Sequence, residues 1–183
     1  SHLRRLPQCF QVIKNGQWSC PQQDDLQSKT IGLVGVGRIG MRLAEIFAAF
    51  KVKNVLGYSL KQEKEFTDMG GTYVGSLASL FLEADVICVC VPLTPRSRGI
   101  ISGTLMQLLR PECLLVNVSR GDVVDEKALA QLLAERRFSA ALDVFSTEPL
   151  PRDDTLQGVP PEQIMMTPHV GYQTRASLAQ RFD

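Results

Sequence analysis

"TIGLVGVGRIG", residues 30–40, decides how the rest of the chain is read. An apolar run ends in three glycines, Gly35, Gly37 and Gly40, in G-x-G-x-x-G spacing, and a segment of helical period follows. The glycines serve separate ends: Gly35 makes a tight turn, Gly37 lets the backbone approach a pyrophosphate, and Gly40 permits close helix–strand packing. A helix starting there turns its free N–H groups and the positive end of its dipole toward the phosphates. The stretch predicts a strand, a turn and a helix that together bind a dinucleotide.

Working outward, the same alternation of apolar run and helical segment repeats. Strands are expected at 30–35, 54–59, 85–91, 113–119, 139–144 and 163–167, with a shorter one at 71–74. Several runs are continuously apolar, as strands covered by helices on both faces should be. Ile39, Leu43, Ile46, Phe47 and Phe50 recur at helical spacing, as do Ala128, Leu132 and Leu133 after the acidic start at Asp125, and both sets are expected to pack on a sheet. The fold class is therefore α/β, a doubly wound parallel sheet of Rossmann type. Residues 1–29 are polar and read as a leading helix and loop, and 30–171 as the dinucleotide-binding domain.

Composition narrows the function. Lys and Arg number 20 against 19 Asp and Glu, so no global field draws in nucleic acid or an anionic membrane, and neither is an expected partner. No run approaches the ~20 apolar residues that span a bilayer. The five cysteines, Cys9, Cys20, Cys88, Cys90 and Cys113, show no C-x-x-C pair and no disulfide framework. They read as reduced thiols in a cytoplasmic compartment, with no metal site.

In an open α/β sheet ligands sit outside the carboxyl ends of the strands. Polar residues follow those ends here: Pro92 to Pro95, then Ser119-Arg120-Gly121, then Asp143 with Glu148 five residues on, then His169. His169 is the only histidine besides His2, to which no function is given, so an enzyme that exchanges protons near neutral pH has one candidate. A carboxylate such as Glu148 beside an imidazole favours the protonated ring, which suits a general acid. Arg120 supplies a planar fork for a substrate carboxylate.

"NVLGYSLK", residues 54–61, bears on the cofactor. Dinucleotide sites selective for NAD place an Asp or Glu about twenty residues after the glycine loop, to hold the ribose 2′-OH. Ser59 stands there and repels no 2′-phosphate, and Lys61 is two residues on, although Leu60 occupies the place where an Arg often follows. NADP is expected in preference to NAD.

"GLVGVGRIG", "LLVNVSRGDVVDEKAL", "AALDVFSTEPLP" and "MMTPHVG" resemble, in order and spacing, the signatures of the D-isomer-specific 2-hydroxyacid dehydrogenases, with a glyoxylate/hydroxypyruvate reductase-like character. The resemblance implies reversible hydride transfer between a nicotinamide and a 2-keto acid. It assigns Arg120 to the substrate, His169 to the proton and Glu148 to His169 as catalytic residues. Asp143 would contact the nicotinamide end, Arg38 and Ile39 would lie along the pyrophosphate, and Pro92, Val118 and Gly171 would line the cofactor cleft. It further implies a homodimer and a substrate domain largely absent from these residues, with 172–183 beginning a helix that returns to it. On that reading the chain binds cofactor without full activity. Transcriptional corepressors that look like this family keep the same three residues, so a dinucleotide-sensing module is the alternative; formate dehydrogenases resemble the chain less, because their pattern lacks a Glu at position 148.

Overall fold

The structure is a computed structural model that describes residues 3–19, 23–175 and 177. Seven parallel strands, β1 (Thr30–Val34), β2 (Asn54–Tyr58), β3 (Thr72–Tyr73), β4 (Val86–Val89), β5 (Leu114–Asn117), β6 (Ser139–Leu142) and β7 (Ile164–Met166), form one sheet. Their order is β3-β2-β1-β4-β5-β6-β7, so the winding reverses between β1 and β4. Helices α1 (Leu6–Lys14), α2 (Arg38–Ala49), α3 (Lys64–Asp68), α4 (Leu77–Glu83), α5 (Gly103–Met106) and α6 (Glu126–Ala134) complete the layers. The returning helix expected from residue 172 falls mostly outside the described residues.

All seven expected strands are present, each ending before its apolar run does. The run 85–91 is strand only over Val86–Val89; Cys90 still donates its N–H to the Val34 carbonyl at 2.8 Å, and the chain then turns away. The leftover residues become the loops of the ligand edge. Continuous apolarity has the expected cause, since alternate residues serve two buried cores. Ile31, Leu33, Val86 and Cys88 pack on one face, while Val34, Ile87 and Val89 pack on the other against Leu80, Leu129 and Leu133.

The expected burial of α2 needs correction. Leu43 and Phe47 pack against the core, but Ile39, Ile46 and Phe50 are exposed, and the buried residues of the helix are Gly40 and Ala44. At about 100° per residue, the 39/43/46/50 stripe lies roughly a quarter turn from the face centred on Gly40, Ala44 and Phe47. Two small residues let the helix sit close to the sheet, and the larger apolar side chains flank the contact.

The reading of all five cysteines as reduced thiols is also corrected: Cys9 is disulfide-bonded. Cys88, Cys90 and Cys113 are free, and burial pushes the Cys88 and Cys113 thiols up to about 12 and that of Cys90 up to about 11. Among the described residues no helix is long and apolar enough to cross a membrane, and no group of His, Cys, Asp and Glu is arranged to hold a metal ion.

Candidate active site and dinucleotide cleft

At the reversal of winding lies a cleft of about 790 Å³. The residues after β1 (Gly35, Gly37), after β2 (Ser59, Leu60) and after β4 (Cys90 to Pro92 and Thr94 to Ser97) line it. Gly35 has φ +95°, and a Cβ there would stand 2.7 Å from Val91 Cγ1. A Cβ on Gly40 would stand 2.2 Å from the Gly35 carbonyl oxygen, so only glycine allows α2 to start this close to β1. Gly37 meets nothing within 4 Å and precedes α2 without a side-chain cap. Its absent side chain leaves a cradle open in front of the uncapped N–H groups of the first turn, which suits a pyrophosphate.

A second cavity, about 950 Å³, opens on the other side of that helix start and is lined by Ile39, Arg120, Asp143, Glu148, His169 and Tyr172 among others. Nδ1 of His169 and Oε2 of Glu148 are 2.8 Å apart, and the other carboxylate oxygen of Glu148 accepts the Phe145 N–H at 2.9 Å. The hydrogen bond with His169, that amide, and the positive charge of Arg120 hold the Glu148 carboxyl below its ordinary value. His169 itself has φ +52°, and its ring meets Tyr172 edge-on with centroids 5.5 Å apart.

Asp143 ties down the loop that carries His169. Its Oδ1 accepts the Val170 N–H at 2.9 Å and the Thr167 hydroxyl, and its Oδ2 accepts the Gly171 N–H at 2.8 Å. Burial opposes ionisation of Asp143, yet these hydrogen bonds outweigh it and hold its carboxyl below the ordinary value. Gly171 belongs to the same contact, since a Cβ there would stand 3.0 Å from Asp143 Oδ2.

The residues anticipated from sequence divide between the two spaces. Gly35, Gly37, Ser59 and Pro92 line the first; Ile39, Val118, Arg120, Asp143, Glu148, His169 and Gly171 line the second. Arg38 begins α2 between them, and Gly40 supports the turn from below. Lys61 is not among the residues lining either space: its Nζ is ion-paired with Glu63 at 2.7 Å.

Several contributors are not apparent from sequence. Asn117, 1% exposed, accepts from the Ser119 N–H and hydroxyl and donates to the Arg120 carbonyl at 3.0 Å, shaping the loop that presents Arg120. Glu126 accepts the Ser146 N–H at 2.8 Å and the Ser146 hydroxyl, bracing the loop that carries Glu148. An amide inside the apolar run 113–119 is the one signal that points to Asn117, because a buried polar side chain needs partners. Glu126 reads as an ordinary helix-start acid, and its contact joins residues 20 apart.

A family model described as "D-isomer specific 2-hydroxyacid dehydrogenase, NAD binding domain" matches residues 1–171. A D-3-phosphoglycerate dehydrogenase of Methanocaldococcus jannaschii is 37% identical, with 93% of this chain and 33% of that protein covered. A glyoxylate reductase/hydroxypyruvate reductase of Mus musculus is 35% identical, with 96% of this chain and 56% of that protein covered. Among solved structures, the D-lactate dehydrogenase of Aquifex aeolicus complexed with NAD and lactic acid superposes with a TM-score of 0.89 at 30% identity, covering 97% of this chain and 58% of that one. The chain thus spans between a third and somewhat over half the length of these proteins.

Proposed function

The chain belongs to the D-isomer-specific 2-hydroxyacid dehydrogenases, and from that premise we propose that it is the nucleotide-binding part of an oxidoreductase acting on a 2-keto acid and its D-2-hydroxy acid, glyoxylate or hydroxypyruvate being the favoured substrates. One observation carries the reading. The uncapped start of α2 stands between an open cleft on one side, lined by Gly37, and a cavity holding Arg120, Glu148 and His169 on the other, lined by Ile39. Gly35, Gly37, Arg38, Ile39 and Gly40 would hold the pyrophosphate of a bound dinucleotide, Ser59 and Pro92 its adenosine, and Val118, Asp143 and Gly171 its nicotinamide end.

The bound nicotinamide supplies the hydride chemistry. Arg120 holds the substrate carboxylate through its guanidinium fork. Glu148 engages Nδ1 of His169 and so leaves Nε2 to give a proton to the carbonyl oxygen as it gains charge. Asp143, by fixing the backbone of Val170 and Gly171, keeps His169 at its station. On this reading the 183 residues, which span between a third and somewhat over half the length of the relatives, bind cofactor without full turnover.

Assays of the complete protein with glyoxylate, hydroxypyruvate and other 2-keto acids test this, with Arg120→Ala and His169→Ala as controls. Turnover that either substitution abolishes is the expected result; full activity in His169→Ala overturns the assignment of the acid. Tight cofactor binding with no turnover of any keto acid would favour a dinucleotide-sensing module of corepressor type instead. NADP is proposed over NAD, because Ser59 puts no carboxylate at the ribose; a tenfold tighter affinity for NADH than for NADPH contradicts it. A homodimer is proposed as well, supported by the exposed apolar face of Leu6, Phe10 and Ile13 on α1.

A further inference from the structure

The cation nearest to hand in the sequence for a 2′-phosphate is Lys61, yet it is engaged by Glu63 and is not among the residues lining the dinucleotide cleft. Of the residues that do line the cleft, Arg96 alone carries a formal charge; no Asp or Glu is present to hold a bare ribose 2′-OH or to repel a phosphate. Arg96 follows β4, across the cleft from Ser59 and Leu60, which follow β2. Among the described residues its guanidinium has neither hydrogen bond nor ion pair.

The turn that presents Arg96 is firmly held. Ser97, 8% exposed, donates its hydroxyl to the Pro92 carbonyl at 2.6 Å and accepts the Thr94 N–H at 2.8 Å, while the Thr94 hydroxyl accepts the Ser97 N–H at 3.2 Å. The next arginine, Arg98, is fixed outside the cleft by Asp122 at 2.9 Å. The backbone on either side of Arg96 is thereby anchored, and the side chain is left to whatever enters the cleft. A guanidinium offers paired donors that match phosphate oxygens, which an ammonium does not.

We propose that Arg96 is the residue that recognises the 2′-phosphate of NADP(H), closing over it from the β4 side while Ser59 leaves it room on the β2 side. The proposal rests on the NADP preference put forward above and names the group that produces it. The phosphate is thus gripped by the loop after β4 and not by the end of β2, where the sequence pattern directs attention.

Dissociation constants of this chain for NADPH, NADH, 2′,5′-ADP and 5′-ADP test it, in the parent and in Arg96→Gln, Arg96→Lys and Lys61→Gln. Arg96→Gln is expected to weaken NADPH and 2′,5′-ADP at least tenfold and NADH and 5′-ADP less than twofold, with partial recovery in Arg96→Lys. Lys61→Gln is expected to lose less affinity for the 2′-phosphorylated ligands than Arg96→Gln. Equal weakening of all four ligands by Arg96→Gln would assign Arg96 to stacking on adenine and overturn the proposal, as would a larger loss in Lys61→Gln. A parent chain with no preference for NADPH would overturn the cofactor reading itself, whereas a preference that survives Arg96→Gln would overturn only the role of Arg96.

Discussion

Gly121 and Phe145 touch backbone to backbone: a Cβ on Gly121 would lie 1.9 Å from the carbonyl carbon of Phe145 and 2.0 Å from the next nitrogen. This contact lays the loop carrying Arg120 against the loop carrying Glu148. Gly121→Ala is therefore expected to push the two loops apart, costing roughly 2–3 kcal/mol as an overpacked buried contact. Thermal denaturation checks it; an unchanged Tm would mean that the loops separate at no cost.

Gly37 and Gly40 should part company in the same kind of experiment. Gly40→Ala drives a Cβ into the Gly35 carbonyl and should destabilise the chain by a few kcal/mol, on the scale of severe overpacking. Gly37→Ala meets nothing in the free chain, so its stability should stay within about 0.5 kcal/mol while dinucleotide affinity falls. Calorimetry of folding and of binding separates the two effects; equal destabilisation would contradict the open cradle.

The pairing of Glu148 with His169 predicts a division between chemistry and binding. In the complete protein His169→Ala should lower kcat by about 10²–10⁴-fold, the usual range for a lost general acid. Glu148→Gln should lower it less, because the amide keeps a contact with Nδ1 but loses the charge. Both variants should bind cofactor like the parent, as titration of intrinsic fluorescence would register; a large loss of cofactor affinity would count against the assigned roles.

Asp143 predicts acid behaviour. Its carboxyl is held below the ordinary value in the folded chain, so its contribution is complete above the unfolded pKa of about 3.9 and is lost as pH falls through the lower folded value. The side-chain carboxyl carbon of Asp143 should keep its ionised chemical shift from pH 7 down to about 4 and titrate only on further acidification. In Asp143→Ala the amide resonances of Val170 and Gly171 should be displaced from their parent positions at pH 7. A protonation step of the Asp143 carboxyl between pH 5 and 7 would contradict the hydrogen-bonded carboxylate.

How much was legible can be argued residue by residue. The strands announced themselves because burial on both faces demands runs such as Val86 to Val89, and the glycine loop because the φ of Gly35 and the crowding at Gly40 admit no side chain. Arg120, Glu148 and His169 stood out in the sequence because each follows a strand, and parallel strands deliver their ends to one edge. The faces of α2 were misjudged because the spacing of large apolar residues does not reveal that two small ones, Gly40 and Ala44, make the close contact.

The amino-acid sequence alone determined the doubly wound sheet, the position of the phosphate turn and the residues gathered at the strand ends, since these follow from local periodicity and from glycine's conformational freedom. Only the tertiary structure decided which loops face one another. Gly121 meets Phe145, Glu126 braces Ser146, and Arg96 lines the cleft with Ser59. The reason is physical: contacts between loops depend on strand order and register, and a chain's local pattern records that a loop follows a strand without recording which loop lies across from it.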